Sequence, residues 1–283
     1  MYIWRKRVTT NWLGVRKDEF TLRFGGSLAI IERPGMERVT FEVSCTTERA
    51  AHSLIREFGG SMEKLRPDWL QHFAKRTQGK PLRIGSRLII LSAPAQRSTA
   101  ARTLIIPAET AFGTGHHATT AMCLRLLEQI TRGRAPGWTM LDAGTGTGIL
   151  AMAGSYFGAS RVLAIENDPL ACAIAKRNAR ANGARQIEFS TDDILKQKLT
   201  GKFEIITANL FSEILISAFP IWSRHLAPGG HFILSGILRN QEAAVVRALR
   251  RHRFAIPEIR RRGKWIALLA QPEVKKAVDA RSG

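Results

Sequence analysis

The stretch TMLDAGTGTGIL, residues 139–150, decides how this chain reads. An apolar run ends at Asp142 and enters Gly144-x-Gly146-x-Gly148, where a helical pattern begins. Glycines at such a turn let the backbone approach a ligand closely, and the first helical turn offers unpaired N–H groups. The next strand-like run, RVLAIE (161–166), ends in Glu166. A carboxylate at that strand end accepts two hydrogen bonds from a ribose diol. Strand, glycines, helix, strand and acid are the parts of a nucleoside cofactor site.

The spacing separates two cofactors. A dinucleotide loop reads GxGxxG and seats pyrophosphate on the helix N-terminus. Here Asp142 stands two residues before the first glycine, where it would hold the positively charged amino end of a methionine-type cofactor and repel pyrophosphate. S-adenosylmethionine is therefore expected rather than NAD, with Asp142, Gly144, Gly146 and Glu166 among its contacts.

Outward from this stretch the pattern alternates. Helices are expected at 118–131, 148–157, 169–182, 212–225 and 240–251, and strands at 138–142, 161–166, 186–190, 203–208 and 230–236. Such alternation builds βαβ units and a parallel sheet. The runs FAIPEI and KWIALLA flank the polar turn RRRG, so an antiparallel hairpin closes the sheet at or near one edge. Upstream, RVTFEVSC (38–45) alternates like a strand. A helix follows it, with Thr46 or Thr47 as N-cap and Gly59-Gly60 as the stop. The fold class is thus α/β, a doubly wound, mostly parallel seven-stranded sheet of Rossmann-like type, with a smaller N-terminal α+β domain. The expected boundaries are 1–68 for the small domain, 69–100 for a connecting segment, 101–272 for the cofactor domain and 273–283 for a polar tail.

Asn209 follows the apolar strand FEIITA at the carboxyl end of a central strand, where open α/β sheets bind ligands. Taken alone it would as readily cap the helix beginning near Ser212. Its neighbours in the crevice favour a substrate-facing role.

Composition narrows the class. The 283 residues are 45% hydrophobic and 23% charged, enough for a sizeable core and against global disorder. No apolar run is long enough to cross a bilayer, and MYIWRKRVTT lacks the apolar segment of a signal peptide. Three scattered cysteines fit neither a disulfide framework nor a zinc site, so a cytoplasmic location and no metal are expected. The net charge is +20, concentrated at the ends: 18 basic against 9 acidic residues in 1–100, and eight basic residues against Glu258 in 247–264. Such a field attracts polyanions or acidic proteins.

AFGTGHHATTAMCLRLLE, LDAGTGTGILAMAG, ENDPLACAIAKRNARANG, ANLF and PGGHFILSGIL follow, in order and spacing, the blocks of a known family. Over about residues 82–268 the chain resembles PrmA, the bacterial methyltransferases acting on ribosomal protein eleven of the large subunit. The resemblance implies a class I S-adenosylmethionine-dependent fold that methylates lysine side chains and the N-terminal amine, with an N-terminal domain docking the substrate. It places family cofactor contacts on Thr120, Gly144, Glu166 and Asn209. His116, Ala118, Glu166 and Asn209-Leu210-Phe211-Ser212 depart from the family's usual Thr, Pro, Asp and Asn-Ile-Leu-Ala.

The resemblance also reads the loop AFGTGHHATT (111–120) as a cover over cofactor and target amine rather than a metal site, since His116-His117 lack further ligands at sensible spacing. Asn209 is the expected orienting acceptor, with Phe112 and Phe211 as the apolar wall. The implied partner is a ribosomal protein, with ribosomal RNA contact through the basic N- and C-terminal regions, no membrane, and a monomer. Two other readings stay open: methylation of another protein lysine or a nucleic-acid base amine, and a cofactor-binding, ribosome-associated protein without catalysis.

Overall fold

The computed structural model describes residues 2–24, 28–31, 38–64, 81–93, 102–107, 113 and 115–273. The chain divides into two compact units, Met1–Phe73 and Ala74–Gly283.

In the first unit, four strands lie in the order β2-β3-β1-β4: β1 (Tyr2–Thr9), β2 (Leu28–Ile31), β3 (Arg38–Cys45) and β4 (Ser61–Lys64). Every pairing is antiparallel. Helices α1 (Thr10–Phe24) and α2 (Glu48–Phe58) join them. Thr47 caps α2 by accepting from the N–H of Ala50, and Gly59 ends it at φ +69°. The core centres on the buried Trp4, Phe20, Phe41 and Phe58, with Phe20 and Phe41 edge-to-face at 4.9 Å between ring centres. The sequence reading passed over β1 and α1, and one side chain explains β1. Lys6 occupies an inward-facing position between Trp4 and Val8, breaking the apolar alternation. Its ammonium stands over the ring of Trp12, 5.3 Å from the ring centre, and donates to the carbonyl of Phe58 at the end of α2.

In the second unit, β5 (Leu82–Ile84), β6 (Leu88–Leu91) and β7 (Arg102–Ile105) form a three-stranded sheet. The β5–β6 hairpin falls in the stretch the sequence assigned to a connecting segment. It pairs with β7, and Ile84, Leu88 and Ile90 are fully buried in the larger unit's core. α3 (Ala118–Thr131) then leads to β8 (Thr139–Ala143), α4 (Ile149–Phe157), β9 (Arg161–Glu166) and α5 (Pro169–Ala181). They are followed by β10 (Ile187–Thr191), β11 (Phe203–Asn209), α6 (Ser212–Ser223), β12 (Leu226–Leu238), α7 (Glu242–Arg251), β13 (Phe254–Arg262) and β14 (Trp265–Pro272).

Strands β8 to β14 form one sheet in the order β10-β9-β8-β11-β12-β14-β13. The strands β10 to β12 are parallel, and β14 and β13 close the sheet as an antiparallel hairpin. The central strands are buried on both faces, which is why they read as apolar runs. The order reverses between β8 and β11, so their carboxyl ends open a crevice there. No helix among the described residues is long and apolar enough to cross a membrane.

Candidate functional site

The glycine loop leaves β8 at the crevice. The N–H groups of Gly144 and Thr145 both donate to the carbonyl of Ile165, pinning the loop to the end of β9. Gly144, Gly146 and Gly148 all have positive φ, between +55° and +80°. A Cβ on Gly144 would stand 2.5 Å from Cδ2 of Leu210, so the residue must be small as well as left-handed.

Glu166, at the end of β9, is 9% exposed and faces the crevice. Its Oε2 accepts from the N–H of Gly146 at 2.9 Å and its Oε1 from the N–H of Asp168 at 3.2 Å. An ionised carboxylate has about four lone-pair sites, so two backbone bonds fix its orientation and leave capacity for a diol.

Asp142 corrects the sequence reading. Its side chain is fully buried and turned into the sheet, not into the crevice. Oδ2 accepts from the hydroxyl of Thr145 at 2.6 Å and the N–H of Ala151 at 3.2 Å, and Oδ1 from the hydroxyl of Thr207 at 2.6 Å. Burial pushes its pKa up to about 6, against the pull of these donors. The strand-end acid shapes the loop from behind; a ligand meets it only as a nearby charge.

At the end of β11, Asn209 faces the same crevice. Its Nδ2 donates to the hydroxyl of Thr120 at 3.4 Å, while its Oδ1 is buried with no hydrogen-bond partner. Leaving a buried acceptor unpaired costs about 1–3 kcal/mol, so such an atom points to a missing donor. Thr120 itself is buried behind Asn209, so it meets the crevice through that amide.

The histidine loop leans on the glycine loop: the hydroxyl of Thr147 donates to the carbonyl of Gly113 at 2.6 Å. His117 precedes α3, and its Nδ1 lies 2.8 Å from the hydroxyl of Thr119. Its ring packs edge-on against Trp265 at 5.3 Å. Burial, reinforced by the charge of Lys264, lowers its pKa and keeps the ring neutral at pH 7. His117 is thus part of the pocket wall. Among the described residues, no group of three or more His, Cys, Asp or Glu side chains stands where it could hold a metal ion. Phe112 lies outside the described residues. Phe211 stands 69% exposed on the rim, just before α6.

Together these groups enclose about 350 Å³, within the range of small-molecule sites. Three wall residues escaped the sequence reading: Leu210, Gly236 and Trp265. Gly236 did leave a signal, an isolated glycine inside the apolar strand β12. Trp265 left none, because only the antiparallel pairing of β14 with β12 brings it to the crevice. A carboxylate with spare acceptor capacity, a close-approach glycine loop, an unpaired amide oxygen and an apolar wall fit S-adenosylmethionine. Glu166 would take the ribose, and Gly144 and Gly146 would let the ligand approach the backbone.

The family model Ribosomal protein L11 methyltransferase (PrmA) matches residues 42–273, so the likeness extends into the first unit. The chain is 38% identical over 207 residues to the ribosomal protein L11 methyltransferase of Pelotomaculum thermopropionicum. That match covers 72% of this chain and 65% of the relative, just under two thirds of its length. Against the protein of the same name from Syntrophotalea carbinolica, identity is 37% over 238 residues, covering 83% of this chain and 70% of the relative. The crystal structure of ribosomal protein L11 methylase from Lactobacillus delbrueckii subsp. bulgaricus aligns with a TM-score of 0.62 at 30% identity. It covers 69% of this chain and 99% of that one.

Proposed function

Because the chain belongs to the ribosomal protein L11 methyltransferase (PrmA) family, we propose that it is an S-adenosylmethionine-dependent protein methyltransferase acting on amines of ribosomal protein L11. The single observation that carries this reading is the unpaired Oδ1 of Asn209, which shares one pocket with the glycine loop and Glu166.

When bound, S-adenosylmethionine supplies a methyl group on a positively charged sulfur. This chain's residues must hold it and aim a nitrogen lone pair at it. A lysine amine, with an ordinary pKa of about 10.4, must first lose its proton. The half-buried Leu210 and Trp265 make the pocket an unfavourable place for an ammonium, which lowers that pKa without a strong general base. Oδ1 of Asn209 is the acceptor that orients the amine N–H. Phe211 on the rim, and Phe112, would screen water from the reacting atoms.

In this reading the first unit docks the protein substrate, and the basic N- and C-terminal regions contact ribosomal RNA. The protein works as a cytoplasmic monomer. Incubation with methyl-labelled cofactor and separated large-subunit components tests the whole reading. Label in protein L11 supports it; label in RNA alone would make the enzyme a base methyltransferase, and no label in any fraction would leave a binding protein.

A further inference from the structure

A larger cleft, about 480 Å³, lies away from the cofactor pocket, where α5 packs on the edge strand β10. Arg185 and Ala184 precede the amino end of β10, so the cleft lies toward the opposite end of the sheet from Gly144 and Glu166. Its floor is apolar: Ala179 and Ala184 are buried, Ile187 and Phe189 half-buried.

Its rim is cationic. Lys176 and Arg180 stand one turn apart on α5, and Arg185 follows in the turn before β10. No carboxylate lines the cleft. Glu188, the nearest acid in sequence, pairs instead with Arg161 at 3.2 Å. Among the described residues, none of the three rim cations forms an ion pair or side-chain hydrogen bond. A fourth cation, Arg102, stacks over Tyr156 at 5.4 Å, and the Tyr156 hydroxyl donates to the carbonyl of Asn182 in the same turn.

Like charges gathered without counter-charges repel one another and raise the local concentration of polyanions. An apolar floor with an aromatic ring suits a ligand that also has flat, weakly polar faces. Single-stranded nucleic acid is the polymer with both properties: phosphates for the cations and bases for the ring. An acidic peptide would satisfy the rim and leave the floor unused. We propose that the cleft formed by Lys176, Arg180, Arg185 and Phe189 binds a single strand of RNA, independently of the cofactor pocket.

The test uses the full-length protein and a fluorescent twelve-nucleotide uridine RNA, with binding followed by anisotropy from 50 to 200 mM salt. Lys176→Ala, Arg180→Ala and Arg185→Ala combined should weaken binding at least tenfold. They should also flatten the log–log salt slope by about 2, given roughly 0.7 per phosphate contact for single strands. Removing the same charge from exposed positions outside the cleft and outside both basic terminal regions, with Lys196→Ala, Lys198→Ala and Arg224→Ala, should cost less than threefold. Phe189→Leu should weaken binding severalfold with the salt slope unchanged, the signature of lost stacking. Unchanged S-adenosylmethionine affinity in each variant shows that it is folded. Equal losses from the two triple variants would reduce the effect to bulk charge and overturn the proposal. So would a twelve-residue glutamate peptide that displaces the RNA at equal concentration.

Discussion

Oδ1 of Asp142 accepts a hydrogen bond from the hydroxyl of Thr207 at 2.6 Å, joining β8 to β11 at the point where the strand order reverses. With Thr145 and the N–H of Ala151 on its other oxygen, the carboxylate holds the glycine loop to the sheet from behind. Burial raises its pKa to about 6, above the 3.9 of an unfolded chain. Between about pH 4 and 6 the folded protein therefore binds more protons than the unfolded one, and stability falls as pH rises through that window. Above it the ionised group costs about 3 kcal/mol. In Asp142→Asn this fall should vanish from melting curves taken between pH 4 and 7, while cofactor affinity drops less than tenfold. A variant that keeps the wild-type slope would show that another group titrates there.

Glu166 should behave differently, because its carboxylate faces the pocket. Glu166→Ala is expected to weaken S-adenosylmethionine binding more than tenfold, about 1.4 kcal/mol for each decade. Calorimetry reads this directly, and an unchanged affinity would remove Glu166 from the ribose site.

The unpaired oxygen of Asn209 gives the clearest separation of chemistry from binding. Asn209→Ala should lower kcat roughly 100-fold, the size of losing one preorganised polar group. Cofactor affinity should change less than fivefold. A loss confined to affinity would make Asn209 a cofactor ligand only.

Gly236 and Gly133 both have positive φ, at +85° and +76°, but only one is crowded. A Cβ on Gly236 would collide with the backbone of Leu210, whereas Gly133 opens on free space. Gly133→Ala should cost about 1 kcal/mol of backbone strain, and Gly236→Ala more than twice that. Urea unfolding measures both. Equal costs would mean that Leu210 yields and that the pocket wall is soft.

Truncation tests the division of labour between the two units. Starting the chain at residue 74 keeps the β5–β6 hairpin; starting it at 95 removes Ile84, Leu88 and Ile90 from the core, at about 1.5–3 kcal/mol each. The longer fragment should bind cofactor like the full chain and fail to methylate the protein substrate. The shorter one should be measurably less stable. Full methylation by the 74–283 fragment would give the first unit some other task.

Local order was legible in the sequence wherever one segment satisfies its own chemistry. The apolar runs of β8, β9 and β11 read as buried parallel strands, and α3 fell at 118–131 as expected. The glycine turn after β8 and the carboxylate that ends β9 were legible because their spacing alone builds them. Thr47 and Gly59 marked both ends of α2. Sequence failed where a side chain's direction depends on what packs behind it. Asp142 looked like a ligand to the cofactor, but the hydroxyls of Thr145 and Thr207 and the N–H of Ala151 draw its charge inward. Lys6 hid β1, because its ammonium finds a carbonyl 52 residues away. Trp265 joined the pocket only through the pairing of β14 with β12. Spacing along the chain fixes which groups a loop can offer; burial and long-range pairing, whose energies depend on neighbours distant in sequence, decide which way those groups face.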